Sequence, residues 1–395
     1  MLLAKSASGQ LINLGEPWER KDLEQLRKNE SFLCPACSNT VQLKLGSKRI
    51  WHFSHLDSNE CSGQHEPESM YHLTAKVQLY QWLKKNYPIV KMEHYFTSFK
   101  QRPDLLLSNI TRLYAIEFQC STISEKLIQK RTATYSQHSI EPYWILGHSR
   151  ISAKSDCVFR MDDVAWNAIR FAPKTDPFLI YYSPRNQYFF LLQSIIPFST
   201  RTVFATPLAI ALPDATFPVQ IDPKISRFPT SLIQPWKNLL QQTRLYLHLS
   251  RDPAVLNLKK RMLDKGIPVS LFPAEAGIPT KYLYWFKTPS YIWQTRFLIE
   301  MIDPLPLGSS IDFQNVYRLF IKQFSALKIK RRLFSIKVDS HISFAIMDYM
   351  NWLTRLGVLE RKSSVTFIKM RGIEYPSSIA EANQRVLDIL QKLST

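Results

Sequence analysis

The sequence predicts a multidomain α+β chain, and three observations carry that reading. A loop-rich stretch over residues 1–66 holds a Cys/His cluster. Residues 67–150 follow the order α-β-β-β-α-β, and residues 151–395 pass from short strands to helices under a strong basic excess. A chain of 395 residues has room for roughly two or three domains. The apolar fraction is 45% and the charged fraction 21%, which excludes disorder for the bulk of the chain.

The elements follow from local pattern. LLAKSASGQLINL reads as a hairpin turning at Ser8-Gly9, and PWERKDLEQLRKN as a polar helix with Pro17 near its start. FLCPACSNTVQLKLGSKRIWHFSH gives two strand-like pieces flanked by Cys and His. The next helix is expected to start with Pro67 at its first position and to stop before Pro88. Its apolar residues Leu73, Val77, Tyr80 and Leu83 recur at helical spacing. IVKMEHYFTSF, PDLLLSN and RLYAIEFQ are strands, the last two joined by a turn at Asn109 and Ile110. Thr122-x-x-Glu125 is a capping box that opens a helix running to about Ser139, and YWILG is a final strand. Residues 176–220 alternate strands and turns. Helical pattern returns from about 231 and again from about 312, ending in a helix, a tight turn at Gly357 and two strands.

Charge is the compositional outlier. Lys and Arg number 51 against 32 Asp and Glu, a net of +19, which favours a polyanion partner. The excess is uneven: 19 basic and 14 acidic residues in 1–150, against 32 and 18 in 151–395. No apolar run is long enough to span a bilayer, and the N-terminal residues lack the pattern of a secretory signal. Five cysteines make an odd, sparse set, which points to a reducing cytoplasm rather than a disulfide scaffold.

Cys34-x-x-Cys37, His52, His55 and Cys61 supply five candidates for the four ligand places of a structural Zn²⁺. The spacing is zinc-ribbon-like, and a small module with little core gains its stability from such a metal. The competing reading is a pair of buried thiols and histidines packed beside Trp51 and Phe53. A second constellation is acidic. Asp104 opens one strand in RPDLLL, and Glu117 and Gln119 lie on one face of the next in AIEFQ, so a hairpin brings the carboxylates together. Converging carboxylates suit a hard divalent cation, Mg²⁺ or Mn²⁺, with the Phe118 carbonyl as a further ligand. Glu68, His72 and Lys76 recur at i, i+4 and i+8, forming either a solvated stripe or a face that brings Glu68 to the metal and Lys76 to the site. Lys130, Arg131 and Tyr135 on the second helix are expected to line a groove for phosphate and base.

These motifs together resemble a known family. PD-(x12)-E-x-Q on this element order is similar to the PD-(D/E)XK nuclease superfamily, whose domain is restriction-endonuclease-like. More narrowly, CPAC, HFSH, the E-x3-H-x3-K helix, RPDLLL and AIEFQ resemble the competence protein CoiA family over roughly residues 1–150. The resemblance implies a cytosolic protein of natural transformation, acting on incoming DNA beside recombination proteins. It also implies a metal-dependent nuclease-like domain, with Asp104 and Glu117 as metal ligands and Glu68 as a third. Gln119 departs from the superfamily pattern, which has Lys there: an amide can orient water but carries no charge.

In the C-terminal half, FSALKIKRRLFSIK places Lys328, Lys330, Arg331 and Arg332 beside Phe324 and Phe334, a composition suited to the backbone and bases of single-stranded or branched DNA. The final helix and strands resemble a winged-helix ending with Arg361 and Lys362 on the wing. Three functions compete: a Mg²⁺-dependent DNA nuclease, a DNA-binding or recruitment factor that keeps the nuclease fold without catalysis, and an RNA-binding or structural protein with a zinc module.

Overall fold

In the computed structural model, which describes residues 1–56, 61, 68–171, 175–219, 228–336 and 338–394, the N-terminal hairpin forms as expected. Strands β1 (Leu3–Ser6) and β2 (Leu11–Asn13) precede helix α1 (Arg20–Asn29), then β3 (Phe32–Leu33), β4 (Thr40–Lys44) and β5 (His52–His55). They make one sheet in the order β2-β1-β3-β4-β5. Its core is small, built on Ala4, Ile12, Leu23, Phe32, Val41, Leu43 and Phe53.

The middle of the chain runs α2 (Met70–Lys84), β6 (Ile89–Met92), β7 (Leu105–Ser108), β8 (Leu113–Gln119), α3 (Glu125–Gln137) and β9 (Ile140–Gly147). Helix α2 begins at Met70, with Ser69 accepting from the His72 amide as its N-cap. The start expected at Pro67 lies outside the described residues. Helix α3 is capped by Ser124, which accepts from the Leu127 amide, rather than by Thr122. Strand β6 is short because Glu93 takes a φ of 50°, a left-handed conformation that ends the extended run.

Strands β10 (Ser152–Ala153) and β11 (Val158–Arg160), helix α4 (Asp163–Ala168) and strands β12 (Leu179–Ser183), β13 (Tyr188–Pro197) and β14 (Thr202–Ala211) follow. All belong, with the exception of α4, to one nine-stranded sheet in the order β10-β11-β14-β13-β12-β9-β8-β7-β6. The boundary that the sequence suggests at residue 150 therefore falls inside a sheet: β12 pairs in parallel with β9, Tyr181 opposite Leu146. Along β8 the side chains alternate. Tyr114, Ile116 and Phe118 pack into the cluster that holds Leu73, Leu79 and Leu83 of α2, whereas Ala115 packs with Tyr135 of α3. Glu117 shares the Ala115 face, and this alternation sets the architecture of the candidate site.

The C-terminal part comprises α5 (Ile233–Tyr246), α6 (Pro253–Leu263), α7 (Ser290–Phe297), β15 (Ser310–Asp312), α8 (Phe313–Gln323), α9 (Ile342–Arg355), β16 (Leu359–Arg361), β17 (Thr366–Lys369) and α10 (Ile379–Ser394). Its core centres on Trp236, Trp293, Phe297, Phe320 and Tyr349. Gly357, with a φ of 71°, makes the turn between α9 and β16. The three short strands pair in the order β15-β17-β16. Among the described residues no helix is long and apolar enough to cross a membrane.

Candidate functional site

Lys76 lies on α2 and is fully buried, at 0% exposure. Its ammonium is an obligate donor in a place without water, so carboxylates must meet it. Glu68 accepts at 2.5 Å, Glu93 accepts a further hydrogen bond, and Asp104 Oδ1 stands 3.5 Å away. The stripe read from the sequence is therefore not solvated. Glu68 precedes the helix rather than riding on it, and folds back onto Lys76. Burial opposes the lysine charge, but the Glu68, Glu93 and Asp104 carboxylates hold it well above the ordinary lysine range.

Glu68, His72 and Asp104 each place a donor atom within 4.8 Å of the others. His72 Nε2 lies 3.1 Å from Asp104 Oδ2, and the same oxygen accepts from the Phe118 amide at 2.9 Å. Phe118 thus contributes its N–H here. Burial pushes the Asp104 carboxyl up, but His72 and Lys76 overcome it and hold the group well below the usual carboxylate range. An ionised carboxylate pair with an imidazole is a donor set fit for a divalent cation. His72 is the member that sequence reasoning left out of the ligand set, although its spacing from Glu68 and Lys76 was the available signal.

Glu117 is not part of that group. Its Oε1 accepts from Tyr135 Oη at 2.6 Å and from the Arg131 guanidinium. Burial pushes the Glu117 carboxyl up to about 7, against the pull of Arg131. Gln119 donates to the Ser121 carbonyl and hydroxyl at 3.0 and 2.9 Å, at the entry to α3. Tyr135 is fully buried and Arg131 is tied to Glu117 and to the Arg102 carbonyl, so of the expected groove residues only Lys130 is exposed. The helix face that carries Arg131 and Tyr135 packs on β8 instead of facing solvent.

Two buried charged residues escaped the sequence reading. Glu93 accepts from the Leu2 amide at 3.0 Å and the Leu3 amide at 3.2 Å, which ties β1 to this centre. Arg102 approaches the other side of Glu93 at 3.8 Å. Burial opposes ionisation of Glu93, but Lys76 and Arg102 lower it to about 2.

In the N-terminal module, Cys34, Cys37, His55 and Cys61 bring donor atoms within 4.8 Å of one another. Cys34 Sγ and Cys61 Sγ are 3.8 Å apart, the edge expected of a tetrahedron with Zn–S bonds of about 2.3 Å. Cys37 Sγ lies 3.3 Å from His55 Nε2. Of the five candidates His52 is left out: its Nδ1 lies 2.9 Å from the Ile50 carbonyl.

The C-terminal candidates divide. Lys328, Lys330 and Arg331 are exposed. Lys328 and Lys330 line a cavity of about 380 Å³ with Lys287. Arg332 is buried, its guanidinium 3.4 Å over the Trp166 ring, so it is a packing residue and not a surface cation. Phe324 packs on Phe320 and Phe286, and Phe334 on Phe171 and Trp285, which removes both from base stacking. Arg361 donates to the Ser363 and Ser364 carbonyls and Lys362 pairs with Glu360.

Comparison with known proteins follows this division of the chain. Residues 15–64 match the N-terminal domain of competence protein CoiA, residues 68–224 its nuclease-like domain, and residues 234–382 its C-terminal domain. The chain belongs to the competence protein CoiA family. A competence protein CoiA of Bacillus subtilis (strain 168) is 28% identical over 353 residues, covering 87% of this chain and 91% of that protein. The nuclease-like match extends past residue 150 to 224, and so takes in the strands that the nine-stranded sheet adds.

Two predictions follow from these centres. Metal analysis is expected to find about one zinc per chain, retained in His52→Ala and lost in Cys37→Ser and His55→Ala. Because Glu93 is depressed from 4.5 to about 2, its stabilisation is complete above the unfolded value and is lost as pH falls toward the folded one. The urea midpoint of the wild type is expected to fall from about pH 5 to about pH 2. In Glu93→Gln it is lower at neutral pH and flatter across that window.

Proposed function

We propose that the chain is a metal-dependent DNA nuclease of competence, acting in the cytoplasm on incoming single-stranded or branched DNA beside recombination proteins. Its nuclease-like domain is of the PD-(D/E)XK type, with a structural Zn²⁺ held by Cys34, Cys37, His55 and Cys61. The observation that carries this reading is the convergence of Glu68, His72 and Asp104 beside the Lys76 ammonium, in a domain that matches a nuclease-like family. These three residues would hold Mg²⁺ or Mn²⁺, and the imidazole makes the set as well suited to Mn²⁺ as to Mg²⁺.

A cation bound there supplies Lewis acidity at the phosphoryl group. The chain's own residues do the rest. Lys76 is held charged, so it cannot accept a proton; its part is to offset negative charge that develops on the phosphate oxygens. Glu93 and Arg102 fix the lysine in place. Arg131 and Tyr135 hold Glu117 buried, with its charge offset by the Arg131 guanidinium. Lys328, Lys330 and Arg331 hold the DNA backbone at a distance from the carboxylates.

A second reading, a DNA-binding factor without catalysis, is favoured by one observation: the Glu117 and Gln119 side chains are engaged by Arg131, Tyr135 and Ser121. Cleavage of linear, branched and single-stranded DNA with Mg²⁺ or Mn²⁺ separates the two. Asp104→Ala and Glu68→Gln are expected to lower the rate by about 100-fold or more while sparing or strengthening binding. Gln119→Lys leaves the rate unchanged, because that side chain turns to Ser121. Lys76→Met loses cleavage and costs about 3–5 kcal/mol of stability, since it strands buried carboxylates. If wild type and Asp104→Ala are equally inert yet bind DNA equally well, the binding-factor reading replaces this one.

The salt dependence of DNA binding tests the C-terminal surface. Removing Lys328, Lys330 and Arg331 together should flatten the log–log slope on duplex DNA by about 2 to 3. Arg332→Ala is expected to lower stability and leave the slope alone.

A further inference from the structure

The N-terminal module carries a groove that none of the chemistry above uses. It is an open cavity of about 690 Å³ between the last turn of α1, strand β4, the loop at residues 46–49 and the start of β5. Arg27, Lys44, Lys48, Arg49 and His52 line it. The first four are exposed, and Leu43 and Leu45 form a buried apolar floor. Among the described residues no carboxylate lines the groove, and none of its four cations stands in an ion pair with an acid. Elsewhere in this module charges do meet: Arg20 pairs with Glu24, and Lys21 with Glu19.

Four like charges gathered in one concavity repel each other, so an uncompensated cluster of this kind is stabilised by binding an anion. The form of the groove selects which anion. A small anion is caged by rigid, buried donors, whereas these cations sit on long, exposed side chains spread along an open trough. That arrangement suits charge distributed along a chain. The groove also lies next to the carboxylate centre through the sheet. Lys44 of β4 is opposite His52 of β5, the Phe53 amide donates to the Met1 carbonyl at 2.9 Å, and the neighbouring Leu2 and Leu3 amides hold Glu93.

We propose that this groove binds the phosphate backbone of a DNA strand, as a second holding surface besides the C-terminal lysines. The proposal rests on the nucleic-acid reading given above and extends it: the module built on the Cys/His cluster acts as a strand guide and is more than a structural support.

The test is binding of the full-length protein to a labelled single-stranded oligonucleotide over a range of salt. Lys44→Ala/Lys48→Ala/Arg49→Ala is compared with wild type and with Lys44→Arg/Lys48→Arg/Arg49→Lys, and bound zinc and melting temperature report that each variant is folded. The alanine variant is expected to flatten the log–log slope by about 2, near 0.7 for each lost phosphate contact, and the charge-preserving variant to keep the wild-type slope. An unchanged slope in the alanine variant, with wild type binding normally, overturns the groove and leaves the nuclease reading standing. Failure of wild type to bind DNA at all overturns both. Loss of binding to anionic phosphatidylserine vesicles without any change on DNA would assign the groove to a membrane surface and overturn the proposal as well.

Discussion

The buried ammonium of Lys76 is the constraint on which the middle of this protein depends. Taking a lysine charge out of water costs several kcal/mol after relaxation, and that cost is offset only by close, well-placed carboxylates. Three meet it, and each comes from a different place: Glu68 from the segment before α2, Glu93 from the end of β6 and Asp104 from the approach to β7. None can be withdrawn without leaving the lysine under-paired. Helix α2 must therefore dock against the β6–β7 edge of the sheet for the charge to be tolerated. Glu93 passes the requirement on to the N-terminal module, because its carboxylate also satisfies the Leu2 and Leu3 amides. One charge thus fixes the docking of a helix, a sheet edge and a neighbouring module.

The same cluster carries the candidate chemistry, and this explains why it is so densely charged. Lys76, Arg102, Arg131 and the Met1 ammonium face Glu68, Glu93, Asp104 and Glu117, so four fixed cations meet four carboxylates in little space. A core built only for stability has no use for this arrangement, since apolar residues of similar volume commonly serve as well or better. Next to a polyanion, a group of carboxylates is a further liability. It becomes an advantage when a divalent cation is to be held between the protein and a phosphate. In the function proposed above, the strongly basic remainder of the chain would keep a polyanion near a carboxylate-rich centre.

What was legible in the sequence was local. Cys34 and Cys37 sit on one tight knuckle, and the Asp104-to-Glu117 spacing encodes a strand, a turn and a return strand. What was hidden depended on which way a side chain faces after distant pieces pack. Glu93 looked like one more strand residue, because nothing local announces the left-handed backbone that turns it inward. Arg131 and Tyr135 were found by their i, i+4 spacing but assigned to a solvent groove, since an amphipathic face does not say what covers it. Arg332 sits in a basic run where composition marks every residue as a surface cation. In the folded chain a turn through Lys328 buries Leu327, Ile329 and Arg332 and exposes Lys328, Lys330 and Arg331. The strands after residue 150 read as a separate unit because their hairpins are local, whereas their membership of the sheet rests on the single parallel pairing of β12 with β9.

In the nuclease reading proposed above, Gln119 would stand where the PD-(D/E)XK pattern places a lysine, and the geometry offers a reason why a neutral residue could serve there. What a phosphoryl-transfer site needs from a lysine is a positive charge near the oxygens where negative charge grows, and the element that delivers it is immaterial. Here α2 delivers it: Lys76 reaches Asp104 from the helix side, while Gln119 turns toward Ser121 at the head of α3. A lysine added at residue 119 would lie on the Glu117 face of β8, which Arg131 already occupies. A second cation on that side would compete with Arg131 for Glu117. From the helix, Lys76 meets Glu68, Glu93 and Asp104 together.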